Sequence, residues 1–242
     1  MLKSAIRLNF LITASILAID LSANAQQATI KDPDGYTNVH AGSSLKTKVI
    51  GRFYNGDVFN FGNEENGWVK VYYWPADSSE QRSFEGYIYK DRLFPFDKIR
   101  RLREHQKTLT IDHLKLHFDS VTVDLITAPF RSAHHIVRYG SPGFYIVKID
   151  GKRPMGTDGE IPHEELVGLH MTTNGAAMHI PASAWDNLYD PDFRTCHAYF
   201  DTGTGFMYIS LASTRSAAGG YDVVWIFKNG RYIKRYVDQS NN

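Results

Sequence analysis

The sequence contains a single cysteine, Cys196, among its 242 residues. One thiol excludes an intrachain disulfide and a zinc finger built from several cysteines. The sequence also lacks a surplus of either charge, because 27 Lys and Arg residues face 26 Asp and Glu residues. Nucleic-acid-binding domains normally carry a clear cationic surplus, so we do not expect a nucleic-acid partner.

Familiar catalytic signatures are missing as well. The sequence has no Gly-x-Ser-x-Gly elbow, no phosphate-binding loop, no Gly-x-Gly-x-x-Gly fingerprint and no His-Glu-x-x-His pair. Each of these patterns places a nucleophile, a phosphate cradle or a metal ligand at a fixed position in a fold. We therefore predict no cofactor and no metal.

The first 25 residues have the pattern of a secretory signal peptide. Lys3 and Arg7 precede an apolar stretch at 8–19, and Ala23 and Ala25 form a small-x-small cleavage site. About 12 apolar residues span roughly 18 Å of helix, which is less than the ~30 Å hydrocarbon core of a bilayer. We predict cleavage near Ala25 and export to the periplasm or beyond. No later segment is apolar for 18 residues, so we expect no membrane span in the mature chain.

Residues 26–96 show short apolar pieces separated by turn signals, and aromatic residues make up 13% of the chain. Turns are indicated at 32–35, 55–57 and 65–67, and aromatic residues favour strands. The pattern predicts four or five strands without a helix, which is typical of a small closed β-barrel.

Several spaced motifs in this segment resemble a bacterial SH3 (SH3b) domain. They are YTNVHAGSS at 36–44, KVIG at 48–51, NGD at 55–57, GWVKV at 67–71 and GYI at 86–88. His40 and Ser43 depart from the family, which typically has Arg and Pro there. The resemblance implies a non-catalytic module that binds a cell-wall peptide or a protein partner. Its aromatic residues Tyr36, Tyr72 and Tyr87 are our candidate ligand-binding residues, although for each one alone a place in the core or on the strand surface is the better explanation.

Residues 97–107 form the most strongly charged run of the chain. Ile99 and Leu102 lie at helical spacing within it, so we predict a charged linker with a short helix. Its four cations at 98, 100, 101 and 103 are expected to be a solvated face rather than a nucleic-acid site.

Residues 108–242 read as successive hairpins, so we predict an antiparallel β domain. Asn174-Gly175 and Asn229-Gly230 are strong signals for two-residue hairpin turns. One segment, 182–188, has a helical pattern after Pro181. The predicted fold is therefore mainly β: an N-terminal SH3-like β-barrel followed by a C-terminal antiparallel β-rich domain of unknown function.

Cys196 is a candidate catalytic nucleophile, since SH3b modules often accompany NlpC-type cysteine peptidases. That family has an Asp-Cys-Ser-Gly-like run with a histidine further along the chain, whereas here the run is RTCH at 194–197. His197 is the immediate neighbour, and adjacent residues of a strand point to opposite faces. We therefore predict a buried structural thiol.

Two further groups of polar residues suggest chemistry. His113 and His117 could share a zinc ion on a helix, but on a strand they lie about 13 Å apart. Asp158, in the loop GTDG at 156–159, is a candidate ligand-binding or acid-base residue, although a plain Asp-Gly turn explains it better.

Taken together, these patterns predict a non-catalytic exported protein that binds a peptidoglycan peptide or a periplasmic or extracellular protein. One alternative is a cell-wall hydrolase with an unfamiliar active site in 108–242. Another is a periplasmic inhibitor or immunity-type protein that blocks an enzyme in the same compartment.

Overall fold

A computed structural model describes residues 26–73, 75, 83–141, 143–213 and 219–239, so the predicted signal peptide lies outside the described residues. The described chain contains strands and short 3-10 turns but no α-helix, and no helix in it could cross a membrane. The strands are β1 (Gln26–Ile30), β2 (Tyr36–His40), β3 (Val49–Tyr54), β4 (Val58–Glu65), β5 (Trp68–Tyr73), β6 (Phe84–Tyr89), β7 (Leu93–Pro95), β8 (Arg100–Arg101), β9 (Glu104–Leu109), β10 (His113–Phe118), β11 (Val121–Pro129), β12 (Val137–Tyr139), β13 (Ile146–Ile149), β14 (Glu164–Thr173), β15 (Ala176–Ala177), β16 (Asp192–Asp201), β17 (Phe206–Ser213), β18 (Tyr221–Lys228) and β19 (Arg231–Asp238).

The first seven strands form one antiparallel sheet in the order β3-β2-β6-β5-β4-β1-β7, which we call the N-terminal sheet. Phe53 and Phe59 stack at its centre with their ring centroids 4.1 Å apart, and Val39 and Ile88 are fully buried beside them. The sheet has more strands than the four or five predicted, because β1 pairs with both β4 and β7 and joins the ends of the segment.

Ten of the remaining twelve strands form a sandwich of two five-stranded antiparallel sheets, and β12 and β13 pair with each other as a separate two-stranded sheet. The outer sheet has the order β15-β14-β11-β10-β9, and the central sheet has the order β19-β18-β17-β16-β8. The predicted hairpin turns are confirmed, since Asn174, Gly175, Asn229 and Gly230 all have φ between 50° and 78°, as a type I′ turn requires. The predicted fold class, mainly β with an antiparallel C-terminal part, is confirmed.

The two predicted helices are wrong. The segment 97–107 contains a 3-10 turn at Phe96–Lys98 followed by β8 and β9. Its apolar residues serve different cores: Ile99 is buried with the N-terminal sheet, and Leu102 is buried in the sandwich. An extended chain can deliver side chains to two cores, whereas a short amphipathic helix presents one apolar face.

The segment 182–188 forms only a 3-10 turn at Ala182–Ala184. The backbone N–H groups of Ala184 and Trp185 donate to carbonyls three residues earlier. The Asp186 N–H donates to the Ala182 carbonyl and the Leu188 N–H donates to the Trp185 carbonyl, so turn bonds continue to Leu188. The Leu188 carbonyl instead accepts a hydrogen bond from the Leu166 N–H of β14, and no regular helix forms.

The central sheet is buried on both faces. One face packs on the outer sheet around Trp225 and Phe227, and the other packs on the N-terminal sheet through Tyr208, Ile226 and Tyr236. The molecule therefore has three layers, and the N-terminal sheet shares an apolar core with the sandwich instead of hanging from a flexible tether.

Candidate functional site

A groove of about 660 Å³ crosses the surface of the N-terminal sheet. Its apolar wall is aromatic: Tyr36 is 36% exposed and Tyr89 is 44% exposed, and Trp68 lies on β5, the strand next to the one that carries Tyr89. Groups of this kind offer a large contact area at small entropic cost. The lining residues are Asp32, Asp34, Tyr36, Thr37, Asn38, His40, Ser43, Ser44, Leu45, Lys46, Trp68, Tyr89 and Arg92.

Trp68 forms the back of the groove and is held from two sides. It starts β5 directly after Gly67, whose φ of +83° gives the tight turn from β4. The indole meets the ring of Tyr89 edge-on at 5.9 Å between centroids and the ring of His40 at 5.4 Å. Edge-to-face contacts at these distances fix ring orientation, so the aromatic wall is preformed.

One end of the groove carries a charged pair. The Arg92 guanidinium lies 3.0 Å from the Asp32 carboxylate, whose side chain is almost completely buried. Asp32 also accepts a hydrogen bond from the backbone N–H of Asp34 at 2.9 Å, and its own N–H donates to Asn55 at 2.9 Å. The carboxylate is therefore fixed, and it positions a half-exposed guanidinium at the groove surface.

The other end is formed by the loop between β2 and β3. Thr47 holds this loop closed, because its hydroxyl donates to the carbonyls of Gly42 and Ser44 at 3.0 and 2.7 Å. The Nδ1 atom of His40 donates to the Thr47 carbonyl at 3.2 Å. Leu45, which is 79% exposed, is thereby presented at the edge of the groove.

Comparison with known proteins identifies this part of the chain. Residues 35–93 match the family model described as bacterial SH3 domain. The N-terminal part of the chain is a bacterial SH3 domain. No curated protein and no solved structure matches the chain. Most of the groove lies within the matched residues, while Asp32 and Asp34 immediately precede the SH3 domain as the family model delimits it.

The structure places the four candidate ligand-binding residues in three different environments. Tyr36 lines the groove of the SH3 domain. Tyr72 and Tyr87 do not line it: Tyr72 lies under the Lys70 ammonium, 5.0 Å from the ring centroid, and Tyr87 is the strand partner of Lys70. Asp158 is exposed in the connection between β13 and β14, outside the SH3 domain.

Sequence reasoning missed Tyr89, Arg92 and Asp32 as residues of the groove. Asp32 was interpreted as part of a turn, and Arg92 follows it by 60 positions in the sequence. Only the pairing of β1 with β7 brings these two residues together. For Tyr89, the signal was its position after the GYI motif at 86–88, on the strand that neighbours Trp68.

Cys196 is buried in the sandwich core, as predicted. Burial raises the pKa of its thiol to about 12, and the nearby Lys107 only partly opposes this shift. Burial and the Arg101 guanidinium lower the pKa of His197. The Nδ1 atom of His197 accepts a hydrogen bond from Arg101 at 2.6 Å. A protonated thiol in an apolar core has the properties of a structural residue.

The two histidines at metal-like spacing lie on strand β10, as predicted, and have separate partners. His113 contacts the Asp124 carboxylate, and His117 contacts the Thr122 hydroxyl at 3.2 Å. Among the described residues, no cluster of three or more His, Cys, Asp or Glu side chains has the geometry of a metal site.

A second cleft, of about 500 Å³, opens at one end of the sandwich. Its floor is apolar, with Phe118, Met207 and Phe227, and hairpin turns form its rim. Among the described residues, its lining contains one carboxylate, Asp119, and neither a histidine nor a cysteine. Asp119 lies 3.3 Å from Arg100, so the cleft does not present the pair of carboxylates that glycoside hydrolysis uses.

Proposed function

We propose that this chain is an exported binding protein whose SH3 domain holds a cell-wall peptide in the aromatic groove. One observation carries the proposal: a preformed wall of Tyr36, Trp68 and Tyr89 lies beside the fixed Arg92–Asp32 pair. Concave sites with aromatic walls and a few oriented polar groups are the usual form of small-ligand sites.

The chemistry of the groove matches that of a short peptide with charges of both signs. The Arg92 guanidinium can form a fork of hydrogen bonds with a peptide carboxylate, and Asp32 holds it in place for that contact. The carboxylates of Asp34 and Asp32 supply negative charge for an amino group of the peptide. Peptides of the bacterial cell wall carry both kinds of group, and the predicted export brings the protein to them.

The test of the proposal is isothermal titration calorimetry, in which stem peptides released from purified peptidoglycan are titrated into the full mature chain. We expect binding, and we expect Tyr89→Ala to weaken it by about tenfold or more, because a central aromatic contact is lost. Tyr139→Ala is the matched control, since Tyr139 is similarly exposed, at 51%, but lies on β12 in the C-terminal part.

Two outcomes would overturn the proposal. One is the absence of measurable binding at millimolar peptide, which would exclude this ligand class for the groove. The other is equal weakening by Tyr89→Ala and Tyr139→Ala, which would place the peptide elsewhere or show only a general loss of folded protein. Circular dichroism of both variants separates these causes.

A further inference from the structure

Strand β9 is an exposed edge of the outer sheet. Within the described part of the chain it pairs with β10 alone, and all six of its residues are exposed. Two of these exposed residues, Lys107 and Leu109, have their side chains on the face that is turned toward the sandwich core. Lys107 lies opposite Leu116 and Leu109 lies opposite Leu114, and both of these leucines are fully buried. The central sheet therefore does not cover β9, and the sandwich is open along this side.

The backbone of β9 offers hydrogen-bonding groups to a further strand. The Thr110 N–H donates to the His113 carbonyl at 2.8 Å, which places this pair at a hydrogen-bonded position of the ladder. Bonded and non-bonded pairs alternate in an antiparallel ladder. The N–H and C=O groups of Lys107 and Leu109 therefore point away from β10, toward the open side.

The central sheet also ends early on this side. Strand β8 pairs with β16 only through Arg100 and Arg101, and the Leu102 N–H then donates to the Ala198 carbonyl at 2.8 Å. From there the chain crosses to β9. In the part of the chain that the structure describes, no strand pairs with β16 on this side before Ala198.

A cavity of about 240 Å³ occupies the gap where the chain crosses between the sheets. Its floor is apolar and consists of Leu102, Phe118, Cys196 and Ala198, all buried. The volume fits one or two apolar side chains of a bound segment. A β-strand added at this edge directs alternate side chains to one face, so such a segment can fill the cavity while its other side chains face solvent.

The open side is cationic. Arg101, Arg103 and Lys107 surround it, whereas Glu104 is the one acidic residue in the lining of the cavity. Within the described ranges, none of these three cations has a carboxylate within ion-pair distance. Arg101 donates a hydrogen bond to the ring of His197, and this contact leaves the positive charge of the guanidinium without a carboxylate.

We propose that the open edge of β9 binds an extended acidic segment of a partner polypeptide. The segment adds a strand to the outer sheet through the outward backbone groups of Lys107 and Leu109. It places an apolar side chain in the 240 Å³ cavity, and its carboxylates on the same inward face lie beside Lys107 and beside Arg101 and Arg103 at the cavity. Backbone pairing supplies affinity in this mode, and the alternating side chains supply selectivity.

A polypeptide is the class of partner that fits, because an added β-strand matches the spacing of the outward N–H and C=O groups along β9. The competing explanation is that Lys107 protects a bare edge from aggregation, as lysine often does on edge strands. A protected edge binds no peptide, so the two explanations give opposite results in a binding experiment.

The experiment measures fluorescence anisotropy of a labelled peptide with the repeat Glu-Thr-Val-Thr, called the Glu-Val peptide, titrated with the full mature chain. Glu and Val then alternate along one face of the bound strand, and Thr occupies the other face. We expect saturable binding that weakens as salt rises, and binding at least about tenfold weaker for the matched Lys-Val peptide. A Glu-Val peptide with alternate backbone nitrogens methylated is the second control, and we expect it not to bind because it cannot complete the ladder.

Two variants of one position separate charge from backbone pairing. Lys107→Ala removes the cation, while Lys107→Pro also removes the outward N–H and leaves the ladder to β10 intact. We expect Lys107→Pro to bind the peptide about tenfold more weakly than Lys107→Ala, as the loss of one hydrogen bond in a dry interface implies. Circular dichroism and thermal unfolding check that both variants fold.

The proposal is overturned if the Glu-Val peptide does not bind, if the methylated peptide binds equally well, or if Lys107→Pro and Lys107→Ala bind equally. Tyr89→Ala, in the groove of the SH3 domain, must leave the affinity for the Glu-Val peptide unchanged. A loss in that variant would place the peptide in the groove, so failure here is distinguishable from failure of the proposed cell-wall function.

Discussion

The hydroxyl groups of Thr29 and Tyr208 lie 3.2 Å apart in a buried interface, although 179 positions separate them in the sequence. Thr29 lies on β1 of the N-terminal sheet, and Tyr208 lies on β17 of the central sheet. Phe96 packs edge-on against the Tyr208 ring at 5.1 Å. The N-terminal sheet is therefore joined to the sandwich by a polar contact within an apolar interface, which fixes how the two parts pack.

Removing the Tyr208 hydroxyl tests this contact. Tyr208→Phe keeps the ring and leaves the Thr29 hydroxyl without its partner, so we expect the free energy of unfolding to fall by about 1–2 kcal/mol. Denaturation in urea at pH 7 gives the value. Tyr139→Phe is the control, because its hydroxyl belongs to a ring that is half exposed. Equal effects of both substitutions would contradict the role assigned to the buried pair.

The shared core predicts how the chain unfolds. Because the N-terminal sheet and the sandwich both pack on the central sheet, we expect a single cooperative thermal transition. Calorimetry tests this, since the calorimetric and van't Hoff enthalpies agree for a two-state unit. Two separated transitions would show that the SH3 domain and the sandwich unfold independently.

Gly56 lies against the sandwich, and we expect a larger side chain at this position to lower the free energy of unfolding. An ideal Cβ at Gly56, whose φ is +91°, would lie 2.3 Å from the Phe206 ring. Gly175 also has a positive φ, +78°, but nothing lies within 4 Å of its Cβ position. We expect Gly175→Ala to cost about 1 kcal/mol through backbone strain, and Gly56→Ala to cost a further 1–3 kcal/mol or so through overpacking. Equal unfolding free energies for the two variants would be inconsistent with this interface.

His135 predicts a pH dependence of stability. Its Nδ1 atom lies 2.7 Å from Asp150 and its Nε2 atom lies 3.3 Å from Glu165. Only a protonated imidazole donates at both nitrogens. Burial lowers the pKa of His135, but the bonds to Asp150 and Glu165 outweigh it and raise the pKa overall. The same contact lowers the pKa of Asp150.

The sign follows from the direction of each shift. The His135 contribution is fully present below about pH 6.5, the ordinary value, and is lost as pH rises through the raised folded-state pKa. The Asp150 contribution is present above about pH 4 and is lost as pH falls through its lowered pKa. Unfolding free energies of wild type and His135→Gln should therefore differ most near pH 5.5 and converge as pH rises through the raised pKa of His135. His134→Gln, at an exposed neighbour, should show no such convergence.

We expect the Cys196 thiol to react with disulfide reagents only when the sandwich unfolds. Since its pKa is about 12 and its side chain is buried, we expect labelling by a disulfide reagent at pH 8 to be at least about a hundredfold slower in the native protein than in urea. Labelling by Ellman's reagent measures both rates. Fast native labelling would be incompatible with a closed core around Cys196.

Much of the fold could be predicted from local sequence signals. The Asn-Gly dipeptides at 174–175 and 229–230 fix hairpin turns by themselves, because only a few residues tolerate positive φ. The helices predicted at 97–107 and 182–188 were wrong because tertiary pairing decided those segments. Ile99 and Leu102 have helical spacing, yet they fill two different cores.

Less of the candidate site could be predicted. Tyr36 is an aromatic residue within an SH3b-like motif, and that local signal predicts a place in a ligand groove. The Arg92–Asp32 pair depends on strand pairing that no local pattern encodes. The exposed edge of β9 was hidden for a related reason. An edge strand is defined by the absence of a neighbour, and that is a property of the sheet order rather than of the residues at 104–109.

The double burial of the central sheet also limits how this chain can be rearranged. A fragment that begins after residue 96 would expose Phe206, Tyr208, Val224 and Ile226 to water, and such a surface promotes self-association. A fragment that ends there would lose the floor beneath β1 and β4. The SH3 domain therefore depends on the central sheet for part of its core, and we expect a fragment that contains the SH3 domain alone to be less stable than the same domain in the full chain.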